Sequence, residues 1–381
     1  MGIEQQQIAG TRSGEPEQES VVTQEQSAPD DARQRISRRR LLSTGLLGAG
    51  ALTLGISGFA VWKYQQRALR VIEQVSVGIS ALAWSPDGRS FAVGDESATV
   101  SVWNFNGSRL YRRQMPNYLA GASLAWSPDG KYLIVGGNGS SHIWHALTGE
   151  TVADYDFTDS SFAWSPDGKL IASGGKYGFI QIWEAATGAG IISLQAYTGT
   201  NGVLLTINSI AWSPDSKHIA TVGSQPGNLI ALWDIKTGQA VPLPLDVQVR
   251  NPILSRMNAI GWSPDGQYIA GGYADGHKTG RVVLWSWQAQ TKNWTYTGPL
   301  PAHFQGVARL VWSPDGRRFA TVGQDTKIQI WNMSAGLQKD ISTSSKGLAN
   351  SATLNALAWS PDGKYLLAGD DVGQILLWEV D

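Results

Sequence analysis

The chain has no cysteine among its 381 residues, which excludes disulfides, thiolate metal sites and cysteine nucleophiles. Histidine is scarce too, limited to His142, His145, His218, His277 and His303. None of these forms a His-x-x-x-His or His-Glu-x-x-His pair, so a zinc enzyme is not expected. No Gly-x-Ser-x-Gly elbow of a serine hydrolase occurs. Gly48-Ala49-Gly50 sits in an apolar run with no strand before it, which sets a dinucleotide site aside. Net charge is nearly absent, at −1, and no long run of one sign interrupts the chain after residue 71. Nucleic-acid binders usually carry a basic face, so nucleic acid is not an expected partner. No cofactor and no metal ion is expected.

Tryptophan and glycine are plentiful, at 17 and 44 residues. Trp-Ser-Pro-Asp occurs seven times, beginning at Trp84, Trp126, Trp164, Trp212, Trp262, Trp312 and Trp359, at spacings of 38 to 50 residues. A second Trp follows each after 18 to 23 residues, at Trp103, Trp144, Trp183, Trp233, Trp285, Trp331 and Trp378. Ser85 and Asp87 together invite a catalytic reading. An enzyme has no use for seven copies of such a pair, so the motif reads as a corner. Pro suits the second position of a type I turn, Asp the third and Gly the fourth. Six copies have the Gly; the fourth has Ser216, and a looser corner is expected there.

Each corner lies between strand-like runs, such as "ISALAW" and "SFAVG", and a third run of period two follows in "TVSVW". A fourth strand fits before the next repeat, as in "GIISLQAY". Four short antiparallel strands per repeat of 40 to 50 residues make a propeller blade. Small residues beside the first Trp (Ala83, Ala125, Ala163, Ala211 and Ala358) suit closely packed sheets. The expected fold is all-β, a seven-bladed β-propeller over residues 71–381.

Over that span the sequence resembles the WD-repeat (WD40) propeller family. The resemblance implies a buried polar tetrad per blade: His before the first strand, Ser or Thr on the second, Asp at the following turn and Trp on the third. The sixth repeat matches fully in "AHFQGVARLVWSPDG" and "ATVGQDTKIQIW", which assigns His303, Thr321, Asp325 and Trp331. The third keeps Ser173 and Trp183 without the Asp or His, and the first has Val93 at the Ser/Thr position. Trp-Asp itself survives only at Trp233-Asp234. Such a degenerate set resembles bacterial members.

Residues 1–36 are rich in Gln, Glu and Ser, hold no aromatic residue and read as a disordered cytoplasmic tail. Leu41 to Trp62 is uncharged and as a helix would span about 33 Å, enough for the hydrocarbon core. Arg38, Arg39 and Arg40 lie at its N-terminal side, which predicts an extracytoplasmic propeller. Ser37-Arg38-Arg39-Arg40-Leu41-Leu42 resembles a twin-arginine export signal, with Arg38 and Arg39 as its pair. Residues 37–62 are therefore read as an uncleaved single-pass anchor and 63–70 as a linker. Cleavage after Ala60 is the alternative, since Gly58-Phe59-Ala60 has the small-x-small form.

The remaining candidates are surface features. Long loops cluster around the fifth repeat, and Arg250, Arg256, His277, Lys278 and Arg281 make that sector a basic candidate for partner binding. Trp287 and Trp294 fall in a long connection on the opposite face. His142 and His145 read as a blade edge rather than metal ligands. Asp370-Asp371 reads as a blade turn. The expected function is a membrane-anchored platform for protein partners, with a monomeric propeller and no catalytic residues. The alternatives are a hydrolase or lyase with a site in the central channel, which would need three or more converging acids or histidines, and a sensory ectodomain. The N-terminal strand "RVIEQVSV" is expected to pair with Gln374 to Glu379 and close the ring.

Overall fold

A computed structural model describes residues 70–380, apart from 76, 116–122, 138–139, 156–158, 160, 176, 198–205, 224–229, 245–255, 275–278, 334–335 and 343–351. Its twenty-eight strands form seven antiparallel sheets of four. Blades 1 to 6 are consecutive, from Ile79–Trp84 at the centre of the first to Gly336–Ser342 at the rim of the sixth. Blade 7 takes its three inner strands from Leu354–Trp359, Tyr365–Asp370 and Gln374–Glu379. Its outer strand is Arg70–Gln74, from the other end of the chain. The pairing is antiparallel, Arg70 to Leu377 and Gln74 to Gln374, with a bulge between Val71 and Glu73. With the register shifted by the bulge, Ile72 and Val75 pack on the cluster around Ile375 and Leu377.

Burial follows position in the blade. The second strand of blade 1, Ser90–Asp95, is buried throughout, whereas its outer strand Arg109–Gln114 alternates with solvent. Middle strands have a neighbouring blade on both faces and therefore read as continuous apolar runs. The core lies between blades: Val322, Ile328 and Ile330 of blade 6 pack on Leu354, Leu366 and Leu376 of blade 7.

The corners explain the seven serines and aspartates. The Gly88 amide donates to Ser85 O at 2.9 Å, closing the turn. Ser85 Oγ accepts the Ser90 amide at 2.9 Å and donates to Asp87 Oδ1 at 2.6 Å, and Asp87 also accepts the Arg89 amide at 3.0 Å. Burial pushes the Asp87 carboxyl up, but the hydrogen bonds from Ser85 and the Arg89 amide, with the Arg89 charge, reverse this and leave it below the usual carboxylate value. The serine is buried in all seven copies. Gly88 takes φ +70, and its Cα faces Pro361 of the neighbouring corner, so the turns stack around the ring. Four of the first-strand tryptophans lock adjacent blades by donating Nε1 to a small residue's carbonyl: Trp126 to Ala83, Trp164 to Ala125, Trp212 to Ala163 and Trp312 to Gly261, at 3.0 to 3.2 Å.

The fourth corner is not looser. Ser216 adopts φ 60, its amide still donates to Ser213 O at 2.9 Å, and its Oγ accepts the Asp167 amide of blade 3 at 3.1 Å. The connection carrying Trp287 and Trp294 is mostly strand: Thr279–Gln288 and Asn293–Phe304 form one extended hairpin. No helix among the described residues is long and apolar enough to cross a membrane; residues 1–69, with Arg38, Arg39 and the expected anchor, lie outside the described residues.

Candidate interaction surface

Blade 6 holds a continuous polar chain. His303 Nδ1 lies 2.7 Å from Asp325 Oδ1, and His303 Nε2 lies 2.9 Å from Thr321 Oγ1. Trp331 Nε1 donates to Thr321 Oγ1 at 2.9 Å, and the Phe304 amide donates to Asp325 Oδ2 at 3.0 Å. Every atom is satisfied when Trp331 donates to Thr321, Thr321 to His303 Nε2, and His303 Nδ1–H to the carboxylate. Burial raises Asp325, but the His303 hydrogen bond and the backbone amides outweigh it and hold the carboxyl below its usual range. His303 and Thr321, the middle of this chain, are buried.

Blade 3 carries a network that sequence reading missed. Trp183 Nε1 donates to Ser173 Oγ at 2.9 Å, as in blade 6. Asp159, in the connection before the inner strand, hydrogen-bonds Ser173. Burial raises the Asp159 carboxyl above its usual value, and its Oδ2 is buried without a partner.

The central channel is a cavity of 290 Å³ lined by the innermost strands, including Ser80, Ser123, Ser161, Asn208, Asn258 and Arg309. Arg309 is the charged residue among the described lining residues; its side chain is exposed to the channel, and Nη1 donates to Ala308 O at 2.9 Å. Among the described residues, no acid or histidine lines this cavity, so the described lining does not bring together the converging acids or histidines that a channel hydrolase requires.

Of the basic sector expected around blade 5, Arg250, His277 and Lys278 lie outside the described residues. Arg256 opens the inner strand, exposed and paired with Ala274, and half-buried Arg281 pairs with Tyr273, so the two share one end of blade 5. His142 Nδ1 lies 2.6 Å from Asp154 Oδ1 and Nε2 lies 2.9 Å from Ser140 Oγ, which commits this histidine to the blade's rim. No group of three metal-ligating side chains occurs among the described residues. Asp370 folds its turn by accepting the Val372 and Gln374 amides, at 3.1 and 2.7 Å, and Asp371 accepts the Thr353 amide at 3.0 Å.

The larger openings lie on the corner face, between blades. One of 870 Å³ separates blades 2 and 3, with Tyr132, Tyr155 and Trp164 beside Asp129 and Asp167. Another of 390 Å³ separates blades 4 and 5, with Trp262, Trp287 and Trp294 beside Asp215 and Asp265. Trp287 is 40 % exposed while Trp294 is buried.

These features define a seven-bladed β-propeller whose repeated polar residues hold the ring together. The WD domain, G-beta repeat family matches residues 193–234, 294–332 and 343–379. The family named for eukaryotic translation initiation factor eIF2A matches residues 59–186. Among curated proteins, the chain is 38 % identical over 84 residues to Protein HIR1 of Kluyveromyces lactis, covering 18 % of this chain and 9 % of that protein. It is 37 % identical over 75 residues to Protein HIRA of Dictyostelium discoideum, covering 17 % and 7 %. It is 33 % identical over 57 residues to the periodic tryptophan protein 2 homolog of Mus musculus, covering 15 % and 6 %. The matches span under a tenth of each relative's length. All three come from eukaryotes, so they lend no support to the bacterial kinship expected from the degenerate repeats.

Proposed function

We propose that the chain is a platform for protein partners, held to a membrane by residues 37–62 with the propeller on the extracytoplasmic side. The carrying observation is the pair of open grooves on the corner face, where aromatic rings stand beside carboxylates. Rings with one exposed edge in a water-accessible groove suit them to anchor a partner. The hydrophobic, charge-free run of Leu41 to Trp62 and the basic residues before it support the anchor and its orientation.

Cross-linking of the full chain in its native membranes, followed by the same experiment with Trp287→Ala and Trp164→Ala, tests the platform. Discrete cross-linked partners that weaken in either variant are expected; an absence of partners in every sample would end the reading. A reporter active only outside the cytoplasm, fused after Asp381, tests the orientation and should give signal. Arg38→Lys with Arg39→Lys should abolish that signal by the twin-arginine route, and undiminished signal would leave an ordinary signal anchor.

A further inference from the structure

The corner carboxylates are neutralised by a rule with one exception. Asp87, Asp129, Asp167, Asp215 and Asp362 each have a Lys or Arg two residues on, with N···O distances of 3.9, 3.4, 3.6, 3.8 and 4.0 Å. At the sixth corner the charges of Arg318 and, two residues on, Arg317 act on Asp315. At the fifth corner that position is Gln267, whose amide donates to Asp265 Oδ1 at 3.0 Å but brings no charge. Asp265 is thus the one corner aspartate without an intrachain cation among the described residues.

It is also the corner beside the tryptophan cluster. Trp262 and Trp294 have ring centroids 5.4 Å apart at 73°, and Trp287 and Trp294 are 5.4 Å apart at 60°. Trp262 does not make the bond to the preceding blade that its equivalents in blades 2, 3, 4 and 6 make; its Nε1 is buried without a partner. These rings, Asp265 and, from blade 4, Asp215 and His218 line the 390 Å³ cavity. Two features therefore meet at one opening: a corner aspartate with no cation two residues on, and an indole that, like Trp84 and Trp359, makes no blade-to-blade bond and here stands in a three-ring wall.

An ammonium group fits both. Indole faces attract a cation through the ring quadrupole, by about 0.5–2 kcal/mol according to how far it is desolvated. A carboxylate at the mouth supplies the counter-charge. A neutral apolar occupant would leave Asp265 unpaired, and an anion would meet two carboxylates. We propose that this cavity seats a lysine side chain of a partner protein, its alkyl stem against Trp287 and Trp294 and its ammonium at Asp265. The proposal deepens the platform reading and rests on it.

The test uses the full chain and two capped tripeptides, acetyl-Gly-Lys-Gly-amide and its norleucine counterpart, followed by saturation-transfer NMR and calorimetric titration. The lysine peptide should bind and the norleucine peptide should not. Added salt should weaken the interaction. The decisive variant is Gln267→Lys, which restores the residue type the other corners carry and leaves the turn intact. It should weaken lysine-peptide binding at least about ten-fold, equivalent to about 1.4 kcal/mol, with unfolding temperature unchanged. Trp287→Ala should weaken binding as well, and Asp362→Asn at a distant corner should leave it as in the wild type. Equal binding of the two peptides, or binding unchanged in Gln267→Lys, would overturn the proposal. Failure of the platform itself reads differently: the membrane cross-linking then gives no partner even with the wild-type chain. Partners that persist in that experiment while Gln267→Lys leaves peptide binding untouched would sink the cavity reading alone.

Discussion

The Val75 amide donates to the carbonyl oxygen of Gly373 at 2.9 Å, joining the first described strand of the chain to the turn before the last. Gly373 has φ +86, and a Cβ there would run into the carbonyl oxygens of Val75 and Val77. The ring is therefore closed by backbone from both ends meeting at a position that only glycine fills without strain. Gly373→Ala should lower the unfolding temperature, by a free-energy cost of about 1–3 kcal/mol. A chain beginning at Ser80, which lacks Arg70–Gln74, exposes the edge of Gln374–Glu379 and should aggregate or unfold well below one beginning at Arg70. Sedimentation and thermal unfolding of both chains check this; equal unfolding temperatures would mean that the outer strand of blade 7 adds nothing to closure.

The tetrad of blade 6 makes a pH-dependent contribution. Asp325 is held below its usual value of 3.8 in the folded state. Its stabilisation is thus fully present above the unfolded value and is lost as pH falls through the folded one. Asp325→Ala should cost roughly 1–3 kcal/mol at neutral pH, because His303 and the Phe304 amide lose their acceptor. The gap between wild type and variant should narrow as pH drops below about 4. Asp340→Ala, which removes a half-exposed pair with Lys327 at 3.0 Å, serves as the control and should cost about 0–1 kcal/mol. Denaturant unfolding at pH 7 and pH 3 distinguishes these outcomes.

The propeller was legible because its signal is repeated. Seven Trp-Ser-Pro-Asp corners gave the blade count, and the expected pairing of "RVIEQVSV" with the last strand is found at Arg70–Gln74. His303, Thr321, Asp325 and Trp331 were legible because one repeat keeps the full family pattern. Asp159 was not, since the family pattern holds no acid in the connection five residues before the corner Trp. The bulge at Ile72 was hidden as well: its alternation differs from the regular one by a single residue, and only the partner strand fixes the register. The cavity beside Asp265 escaped notice because Trp262, Trp287 and Trp294 come together only when the hairpin folds back on the first strand. Its clue, Gln267 among six Lys or Arg, was present in the sequence but gained meaning from the ion pairs at the other corners.

Asp159 reverses the sign of the blade 6 argument. Burial raises its carboxyl above 3.8, against the hydrogen bond with Ser173. The folded state therefore binds a proton more tightly than the unfolded chain, and the charged form costs stability at neutral pH. Asp159→Asn keeps the shape and a hydrogen-bonding oxygen for Ser173 while removing the charge. At pH 7 the variant should be as stable as wild type or more so. As pH falls through the raised folded value to below about 4, wild type should regain ground. Thermal unfolding from pH 7 to pH 3 measures the difference, and a D159N chain that is less stable at pH 7 by more than about 1 kcal/mol would show that the charge is needed in the network.

Ser216 sets two opposing terms against each other. At φ 60 a residue with a Cβ is strained by roughly 1–2 kcal/mol relative to glycine. Its Oγ offsets this by accepting the Asp167 amide of blade 3 at 3.1 Å, an exposed bond of about 0.5–1.5 kcal/mol. Ser216→Gly should therefore change stability by less than about 1 kcal/mol, in either direction. Gly168→Ala, at φ +73 in the neighbouring corner, imposes the strain with no such bond in return and should cost the full 1–2 kcal/mol, roughly. Comparing Ser216→Ala with Ser216→Gly and the wild type then isolates the hydroxyl: the alanine chain keeps the strain and loses the bond, so it should be the least stable of the three. If alanine and serine unfold at the same temperature, the Asp167 bond contributes nothing, and the fourth corner tolerates its serine for steric reasons alone.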